Sequence, residues 1–478
     1  MVVYSGSSSD GSPFYSSTKR RARYIESIPS YICDTTSQVL LFILPSFFAQ
    51  RYTKLPTKSL EPSRTAYLNG LRGIFALIVF IENFSSPWHK GIHYGYGHGS
   101  NQSWLQLPII RALYAGPSVA IFFAVSGYVN SHRHLIIIRN RAFDRLGTSL
   151  TLSVFRRGPR LFLPSLVSSL YVAAAAQFGL LGLPAEAMSG FTPVPTVIFN
   201  SWSLQIQDWA RFLREELTNT WDWSNQKSTY DSNLWTIPVQ FRAATIIFVV
   251  LLGTSRLSPG MRKYSMVLLF VYWMLQGHWE VAAFLGGMFR AERDVEESGA
   301  SNIQLDQGTT PKPNTKSIKR YLANCYWLSC LLASLYLGSF PQLSAETTPG
   351  YIWLSVLSTN DNAWKTYSAL LLLYTLSHSA SIQQILNLPF IQYLGEISYA
   401  IYLVQGPVLH TFGYRLAPFV WSYIGNGTNL QSHASLIIAF LALIPIVVCI
   451  ADVFRRVVEK PCIEFTSWFE RAFFVRDR

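Results

Sequence analysis

One arginine, Arg72, lies near the start of the apolar run 67–85, which carries no other charge before Glu82. Arg72 and Asn83 are eleven residues apart. That is about three turns at ~3.6 residues per turn, so a helix would carry both side chains on one face, roughly 16 Å apart. Such a cation is either a snorkelling membrane anchor or a group that binds a ligand. Glycines on both sides of Arg72 leave room for a ligand or a second helix, and this favours an active-site helix.

The composition indicates a membrane protein. The chain of 478 residues is 50% hydrophobic and only 14% charged, whereas soluble domains average about 25% charged residues. Its apolar runs alternate with short polar segments, as in polytopic membrane proteins. The formal charge of +13 comes from Lys and Arg clustered in particular connecting segments, as the positive-inside rule expects. The sequence has no aromatic-interleaved basic patch and no zinc-type spacing, so we expect neither nucleic acid as a partner nor a metal site.

The apolar runs predict an all-α integral membrane protein with about ten transmembrane helices. The predicted spans are 68–84, 109–130, 161–183, 235–253, 264–276, 278–289, 321–341, 365–381, 389–411 and 434–453. The block 264–289 is interpreted as two short helices that turn near Gly277. One long helix in its place would invert the topology of everything that follows.

The distribution of Lys and Arg predicts that both termini are cytosolic. Basic residues are concentrated in the N-terminal tail, in the segment 132–160 and from Arg455 onward, whereas 342–363 has none. The sequons at Asn101 and Asn426 fall in segments that this topology places in the lumen, so both are predicted glycosylation sites. The expected location is the endoplasmic reticulum or another endomembrane.

Three regions follow from these patterns. Residues 1–66 are predicted to be a cytosolic tail with an interfacial apolar segment, residues 67–465 a membrane domain, and residues 466–478 a second cytosolic tail. Within the membrane domain, 290–320 is polar and mixes charge with Gly and Pro. It is predicted to be a disordered cytosolic loop between two halves.

Several motifs follow one another along most of the chain. They are LNGLRGIFALIVF at 68–80, FFAVSGYV at 122–129, FRRGPRLFLP at 155–164, LWTIPVQFR at 234–242, LGEISYAIYLVQGPV at 394–408 and FRRVVEKP at 454–461. In these motifs and in their order, the chain resembles the integral-membrane acyltransferase 3 family, in particular its fungal members.

The resemblance implies a fold and an activity. The fold would be an acyltransferase 3-like helical bundle over residues 67–465. The family transfers an acyl group, often acetyl, from acyl-CoA to a hydroxyl. The chain would then be a membrane-bound O-acyltransferase that uses acyl-CoA, such as acetyl-CoA, as co-substrate and holds no bound cofactor. Its acceptor would be a small lipophilic metabolite, such as a fungal secondary metabolite, or a glycan, and membrane lipid would surround it.

The resemblance also implies the site. Arg72 would lie near the donor, and the family's proposed catalytic histidine would fall at Asn83. Three further family positions are amides in this chain: Asn69 stands for an aspartate, Gln240 for a glutamate and Gln405 for a histidine. The predicted substrate-binding residues are these three amides together with Trp235, Arg156 and Arg157.

These amides leave three functional alternatives open, because an amide cannot take a proton at physiological pH and acyl transfer to a hydroxyl needs a base. The chain is an active enzyme with a substitute base, or a degenerate relative that binds a donor or partner without transfer. A polytopic transporter is the third alternative. Glu82, an otherwise unexplained charge in an apolar run, is our first choice of base. Other candidates are His89, His93, His98, His132 and His134.

Overall fold

The structure is a computed structural model, and the residues it describes form several ranges. These are 44–47, 65–97, 104–184, 186, 188–193, 196–224, 228–306, 316–425 and 429–474. The predictions for Asn101, Asn426 and nearly all of residues 1–66 lie outside them. The described residues from 65 onward belong to one compact unit.

That unit is helical, and the described ranges contain no β-strand beyond an isolated bridge between Tyr94 and Leu343. The α-helices are α1 Ala66–Ser85, α2 Ser118–Arg139, α3 Phe143–Gln177, α4 Trp202–Phe212, α5 Thr236–Thr254, α6 Pro259–Leu275, α7 Trp279–Asp306, α8 Lys316–Gly338, α9 Ile352–Leu357, α10 Asp361–His378, α11 Ala380–Leu386, α12 Pro389–Val408, α13 Tyr414–Ile424, α14 Asn429–Phe454 and α15 Lys460–Phe473. The helical class predicted from the sequence is therefore confirmed.

Each predicted span overlaps one of these helices. Gly277, with φ +81°, lies in the turn between α6 and α7, so the two-helix interpretation of 264–289 is confirmed. Among the residues the structure describes, four stretches are long and apolar enough to cross a membrane. They are α1, α3, α5 and the continuous helical stretch Gln431–Phe473.

Two predicted boundaries in the first half are wrong. Helix α2 begins at Ser118 rather than near 109, directly after Pro117, and the preceding residues form a short 3₁₀ turn at Arg111–Leu113. The basic segment 132–160 is a helical hairpin rather than a loop, because α2 runs on to Arg139 and α3 begins at Phe143.

Two segments predicted to be irregular are also helical. The first part of the predicted disordered loop 290–320 belongs to α7, because its carboxylates pair with neighbouring helices: Glu292 is buried against Arg262 of α6, with a closest distance of 2.5 Å. The predicted C-terminal tail begins inside α15, which continues to Phe473. In both places ion pairs between helices satisfy residues whose polarity suggested exposed chain.

Helices α1 and α12 pack very closely, and α2 lies against α1, α5, α7 and α10. The first two run parallel, because Gln392 bonds to Ala66 near the start of both helices and Tyr414, just beyond α12, bonds to Asn83 near the end of α1. A Cβ atom placed on Gly73 would lie 2.5 Å from the backbone nitrogen of Gly395, so the two backbones touch. Asn83 and Gln405 each follow that contact by ten residues (83 − 73 and 405 − 395). Since the helices run parallel with the same rise per residue, Asn83 and Gln405 lie at the same level.

Candidate active site

Two adjoining cavities lie between α1, α2, α3, α5 and α12. The inner chamber has a cavity volume of about 40 Å³, and its apolar walls are Val119, Phe122, Phe123 and Ile237. The outer vestibule has a cavity volume of about 210 Å³. Both are lined by the same four residues, here called the neck: Arg72, Ser126, Gln240 and Tyr399.

The vestibule is cationic. Arg72, Arg157 and Arg160 line it together with one carboxylate, Glu459. Arg157 donates from Nη1 to Asn130 Oδ1 at 3.2 Å, while its Nε and Nη2 are buried without a hydrogen-bond partner. Within the described ranges none of these three arginines forms an ion pair closer than 4.0 Å. Such a surplus of guanidinium donors suits an anion with several charged oxygens.

Local helix geometry positions these charges. Arg157, Arg160 and Leu161 follow one another at helical spacing in α3, so all three face the vestibule. Glu459 ends a π-helical turn, Arg455–Glu459, that interrupts the long helix before Pro461. A π turn shifts the face that the following side chains present, and such turns are frequent at functional sites.

Hydrogen bonds hold the neck in place. Gln240 donates from Nε2 to Ser126 Oγ at 3.0 Å, which joins α5 to α2. The Tyr399 hydroxyl donates to the Leu161 carbonyl at 2.8 Å, which joins α12 to α3. The neck is therefore fixed by contacts between four helices rather than by one.

Asn233 connects the inner chamber to a second polar cluster. Its side-chain oxygen accepts from Asn83 Nδ2 at 3.0 Å, and its backbone N–H donates to Asp231 Oδ1 at 2.9 Å. Its carbonyl accepts from the hydroxyls of Tyr402, at 2.9 Å, and Thr236, at 3.1 Å. Because Tyr402 and Thr236 line the chamber, Asn233 links the chamber wall to Asn83 and Asp231.

Two buried polar side chains near this cluster have atoms without a partner. Asp231 is 4% exposed, and its Oδ2 has no hydrogen-bond partner in the described structure. Burial raises the pKa of Asp231 to about 6, against the opposing effect of its hydrogen bonds from Asn233. Gln405 is 0% exposed, and both its amide atoms lack a partner there.

The comparisons with known proteins agree with this architecture. The family model of the acyltransferase domain, acyltransferase 3, matches residues 65–456. The chain belongs to the acyltransferase 3 family. It is 29% identical over 426 residues to the O-acetyltransferase PaAT-1 of Phomopsis amygdali, with 84% of each chain covered. It is 27% identical to the acyltransferase clz18 of Cochliobolus lunatus, over 83% of this chain and 94% of that one.

A third relative is the acyltransferase R4 of a Phoma species, 26% identical over 84% of this chain and 96% of that one. No solved structure matches the chain. Family membership and these named relatives identify an acyl-transferring enzyme.

In this acyltransferase the structure brings Arg72, Gln240 and Arg157 of the predicted site together around the neck and vestibule. It turns Arg156 away from them. The Arg156 guanidinium forms a two-pronged pair with Glu470 of α15, at 2.5 and 2.7 Å. Arg156 thus fastens the C-terminal helix to α3 and does not line either cavity.

Asn69 and Trp235, also predicted to bind substrate, lie in helix interfaces. Asn69 donates from Nδ2 to the backbone and side-chain oxygens of Gln392, both at 3.3 Å, where α1 meets α12. Trp235 packs edge-to-face on Trp279, with ring centroids 6.5 Å apart. Neither lines the chamber or the vestibule.

The candidate bases lie outside both cavities. Glu82 lines neither cavity, and the cations that act on its carboxylate are Lys365 and Arg111. The described histidines have other contacts: His89 with the His433 ring, His93 with Ser86 and Gln342, His132 with Asp294, and His134 with the Asn130 carbonyl. His98 lies outside the described residues.

Asp231 was missed by the sequence analysis, although one signal points to it. It is a single carboxylate three residues before the LWTIPVQFR motif, in a segment that is otherwise uncharged from 228 to 241. Its burial and its link to Asn83 depend on packing and could not be read from that pattern.

Proposed function

We propose that this enzyme is a membrane-bound O-acyltransferase that transfers an acyl group, acetyl in the simplest case, from acyl-CoA to a hydroxyl. The acceptor is a small lipophilic metabolite or a glycan. One observation carries the proposal: a vestibule lined by three arginines shares the four neck residues with an apolar chamber beside it. The relative PaAT-1 is an O-acetyltransferase, which supports both the oxygen acceptor and the acetyl donor.

Acyl-CoA would bind with its phosphates in the vestibule and its acyl group in the inner chamber. The phosphates of CoA are polyanions, for which Arg157 offers two unpartnered nitrogens and Arg160 a second guanidinium. The thioester would then lie at the neck, beside Arg72 and Gln240, with the acyl group against the apolar wall of the chamber. Arg72, held between the cavities, would stabilise the negative charge that develops on the thioester oxygen.

The membrane arrangement that we propose has ten spans with both termini cytosolic, in the endoplasmic reticulum or a related membrane. The helices at all ten predicted positions support it. The parallel packing of α1 and α12 agrees with their places as first and ninth span. This topology puts the basic α2–α3 hairpin and the vestibule on the cytosolic side, where acyl-CoA is supplied.

Transfer of label tests this function. Purified enzyme in detergent would be incubated with labelled acetyl-CoA and, in turn, geraniol, farnesol, ergosterol and N-acetylglucosamine. We expect a labelled ester with at least one acceptor, and a loss of about tenfold or more in Arg72→Ala, as is typical when a charged donor to the transition state is removed. Arg256→Ala is the matched control, because Arg256 lies over the Phe143 ring, away from both cavities.

A second candidate function is donor binding without transfer. The amides at Asn83, Gln240 and Gln405 favour it, since none of them can exchange a proton. Tight binding of acetyl-CoA with no labelled ester from any acceptor would establish this alternative. Activity gained in the double variant Asn83→His, Gln240→Glu would then show that these positions had removed the chemistry.

A further inference from the structure

We propose that Asp231 is the general base that takes the proton of the acceptor hydroxyl, and that this hydroxyl binds between Asp231, Gln405 and Asn83. The proposal rests on the proposed O-acyltransferase function. It assigns a base to a site in which the family's proposed histidine position is an asparagine.

The first argument is the set of unpartnered polar atoms. Buried polar atoms are nearly always hydrogen-bonded, so those without a partner mark a place for a ligand or water. Asp231 Oδ2 and both amide atoms of Gln405 are buried without one in the described ranges. Together they offer a carboxylate acceptor, an amide acceptor and an amide donor, which suits a hydroxyl group that both donates and accepts.

The second argument is that three elements meet at this point. A Cβ atom on Gly406 would lie 2.5 Å from Asp231 Oδ1, so the carboxylate sits directly against α12 beside Gln405. Asn83 of α1 lies at the level of Gln405 and is joined to the same segment through Asn233. Asn83 and Asn233 therefore act as positioning residues for the Asp231 carboxylate.

The third argument is the connection to the donor. The Asn233 carbonyl accepts from Tyr402 and Thr236, whose hydroxyls also bond to each other at 2.8 Å and line the inner chamber. Asp231 itself does not line the chamber; the proposal places the acceptor oxygen on the Asp231 side of this wall, opposite the vestibule, and has it reach the acyl carbon from there. Donor and acceptor enter from different ends and meet in the chamber.

The electrostatic surroundings suit a base. The titratable groups that face Asp231 are the phenols of Tyr402 on α12 and Tyr414 on α13, both neutral at neutral pH. Asn233, which bonds to Asp231, and Asn83, which bonds to Asn233, are amides. No cation among the described residues lowers the pKa of Asp231, and burial raises it to about 6, so the group is ionised at pH 7 yet more basic than an ordinary carboxylate.

The step balances as follows. The acceptor O–H gives its proton to Asp231 Oδ2 while its oxygen forms a bond to the thioester carbonyl carbon. The tetrahedral intermediate collapses with cleavage of the C–S bond, and the ester forms. The CoA thiolate leaves through the vestibule and takes a proton from water, and Asp231 returns its proton to water before the next cycle.

The test compares Asp231→Asn with Asp222→Asn, a change in the same segment at a carboxylate that bonds to Ser224. Labelled acetyl-CoA is the donor, with the best acceptor among geraniol, farnesol, ergosterol and N-acetylglucosamine. We expect kcat to fall about 100-fold or more in Asp231→Asn, the usual effect of losing a general base. The dissociation constant of CoA should change less than about twofold, and Asp222→Asn should match the wild type. Unchanged CoA binding also shows that the variant is folded.

A second measurement needs no variant. The wild-type kcat should rise with pH through a limb near pH 6, as Asp231 loses its proton, and Asp231→Glu should retain activity with a displaced limb. A wild type that transfers acetyl with no limb between about pH 5 and 7 would overturn the assignment. The assignment would also be wrong if kcat of Asp231→Asn stayed within about threefold of wild type, or if Glu82→Gln lost about 100-fold in kcat while Asp231→Asn did not. Either result leaves the proposed O-acyltransferase function intact. A wild type that esterifies none of the acceptors overturns the proposed function itself.

Discussion

The side-chain amide of Asn83 donates to the side-chain oxygen of Asn233 at 3.0 Å, and this bond joins helix α1 to the segment that precedes α5. Asn233 in turn donates its backbone N–H to Asp231. An asparagine at the family's proposed histidine position is therefore a structural member of a network that ends in a buried carboxylate. The same network therefore contains the amide at the family's proposed base position, Asn83, and the carboxylate that we propose as the base, Asp231.

Two arginines one helical turn apart on α3, Arg156 and Arg160, should behave differently. Arg160→Ala should raise the KM for acetyl-CoA by about tenfold, because it removes one unpaired guanidinium from the vestibule. Arg156→Ala should leave that KM nearly unchanged and lower the melting temperature, because Arg156 binds Glu470. Initial rates against acetyl-CoA concentration, with thermal unfolding in detergent, check both. Equal changes in KM for the two variants would contradict the prediction that Arg160, and not Arg156, binds the donor.

The chamber wall should set the acyl length. Phe122→Ala removes a ring from the apolar wall, so kcat/KM for butyryl-CoA relative to acetyl-CoA should rise about tenfold, which corresponds to ~1.4 kcal/mol of differential binding. Phe284→Ala is the control, since Phe284 packs on Phe123 but does not line the chamber. It should destabilise the fold without changing the ratio. An unchanged ratio in Phe122→Ala would place the acyl group elsewhere.

The contact between α1 and α12 should tolerate no side chain. Gly73→Ala puts a Cβ atom 2.5 Å from the Gly395 nitrogen, so the helices must separate, at about 1–3 kcal/mol. Gly147→Ala in α3 is the matched control, because no atom lies within 4 Å of its added Cβ. It should be neutral or stabilise by up to about 1 kcal/mol. Melting temperatures in one detergent test the pair, and equal shifts would contradict the parallel contact.

Asp231 should reduce stability at neutral pH. Its folded pKa of about 6 lies above its ordinary value of 3.8, so the folded state binds the proton more tightly than the unfolded state. Stability therefore falls as the pH rises through this window, and the full penalty is present above about pH 6. Asp231→Asn removes that penalty and should stabilise the enzyme by on the order of 3 kcal/mol at pH 7 and hardly at all near pH 4. A difference from wild type that is independent of pH would argue against a buried carboxylate.

Some of the site could be predicted from the sequence. The spacing of Arg72 and Asn83 predicts that one helix carries both, and α1 is indeed one continuous helix from Ala66 to Ser85. Gln240 and Arg157 also lie where the motifs indicated, at the neck and vestibule. Arg156 could not be separated from Arg157, because neighbouring residues on a helix point about 100° apart and only the packing of α3 decides which one faces the cavity.

The sequence by itself determined the helices, the family and the positions where titratable groups became amides, because apolar runs and local motifs record those features directly. The tertiary structure decided which side chains share a site. Asp231 becomes significant only when α12 buries it at Gly406 and Asn233 ties it to Asn83, 150 residues away along the chain. Burial and partnership of this kind depend on contacts between distant segments, and so they set the chemistry of a carboxylate that looks ordinary in the sequence.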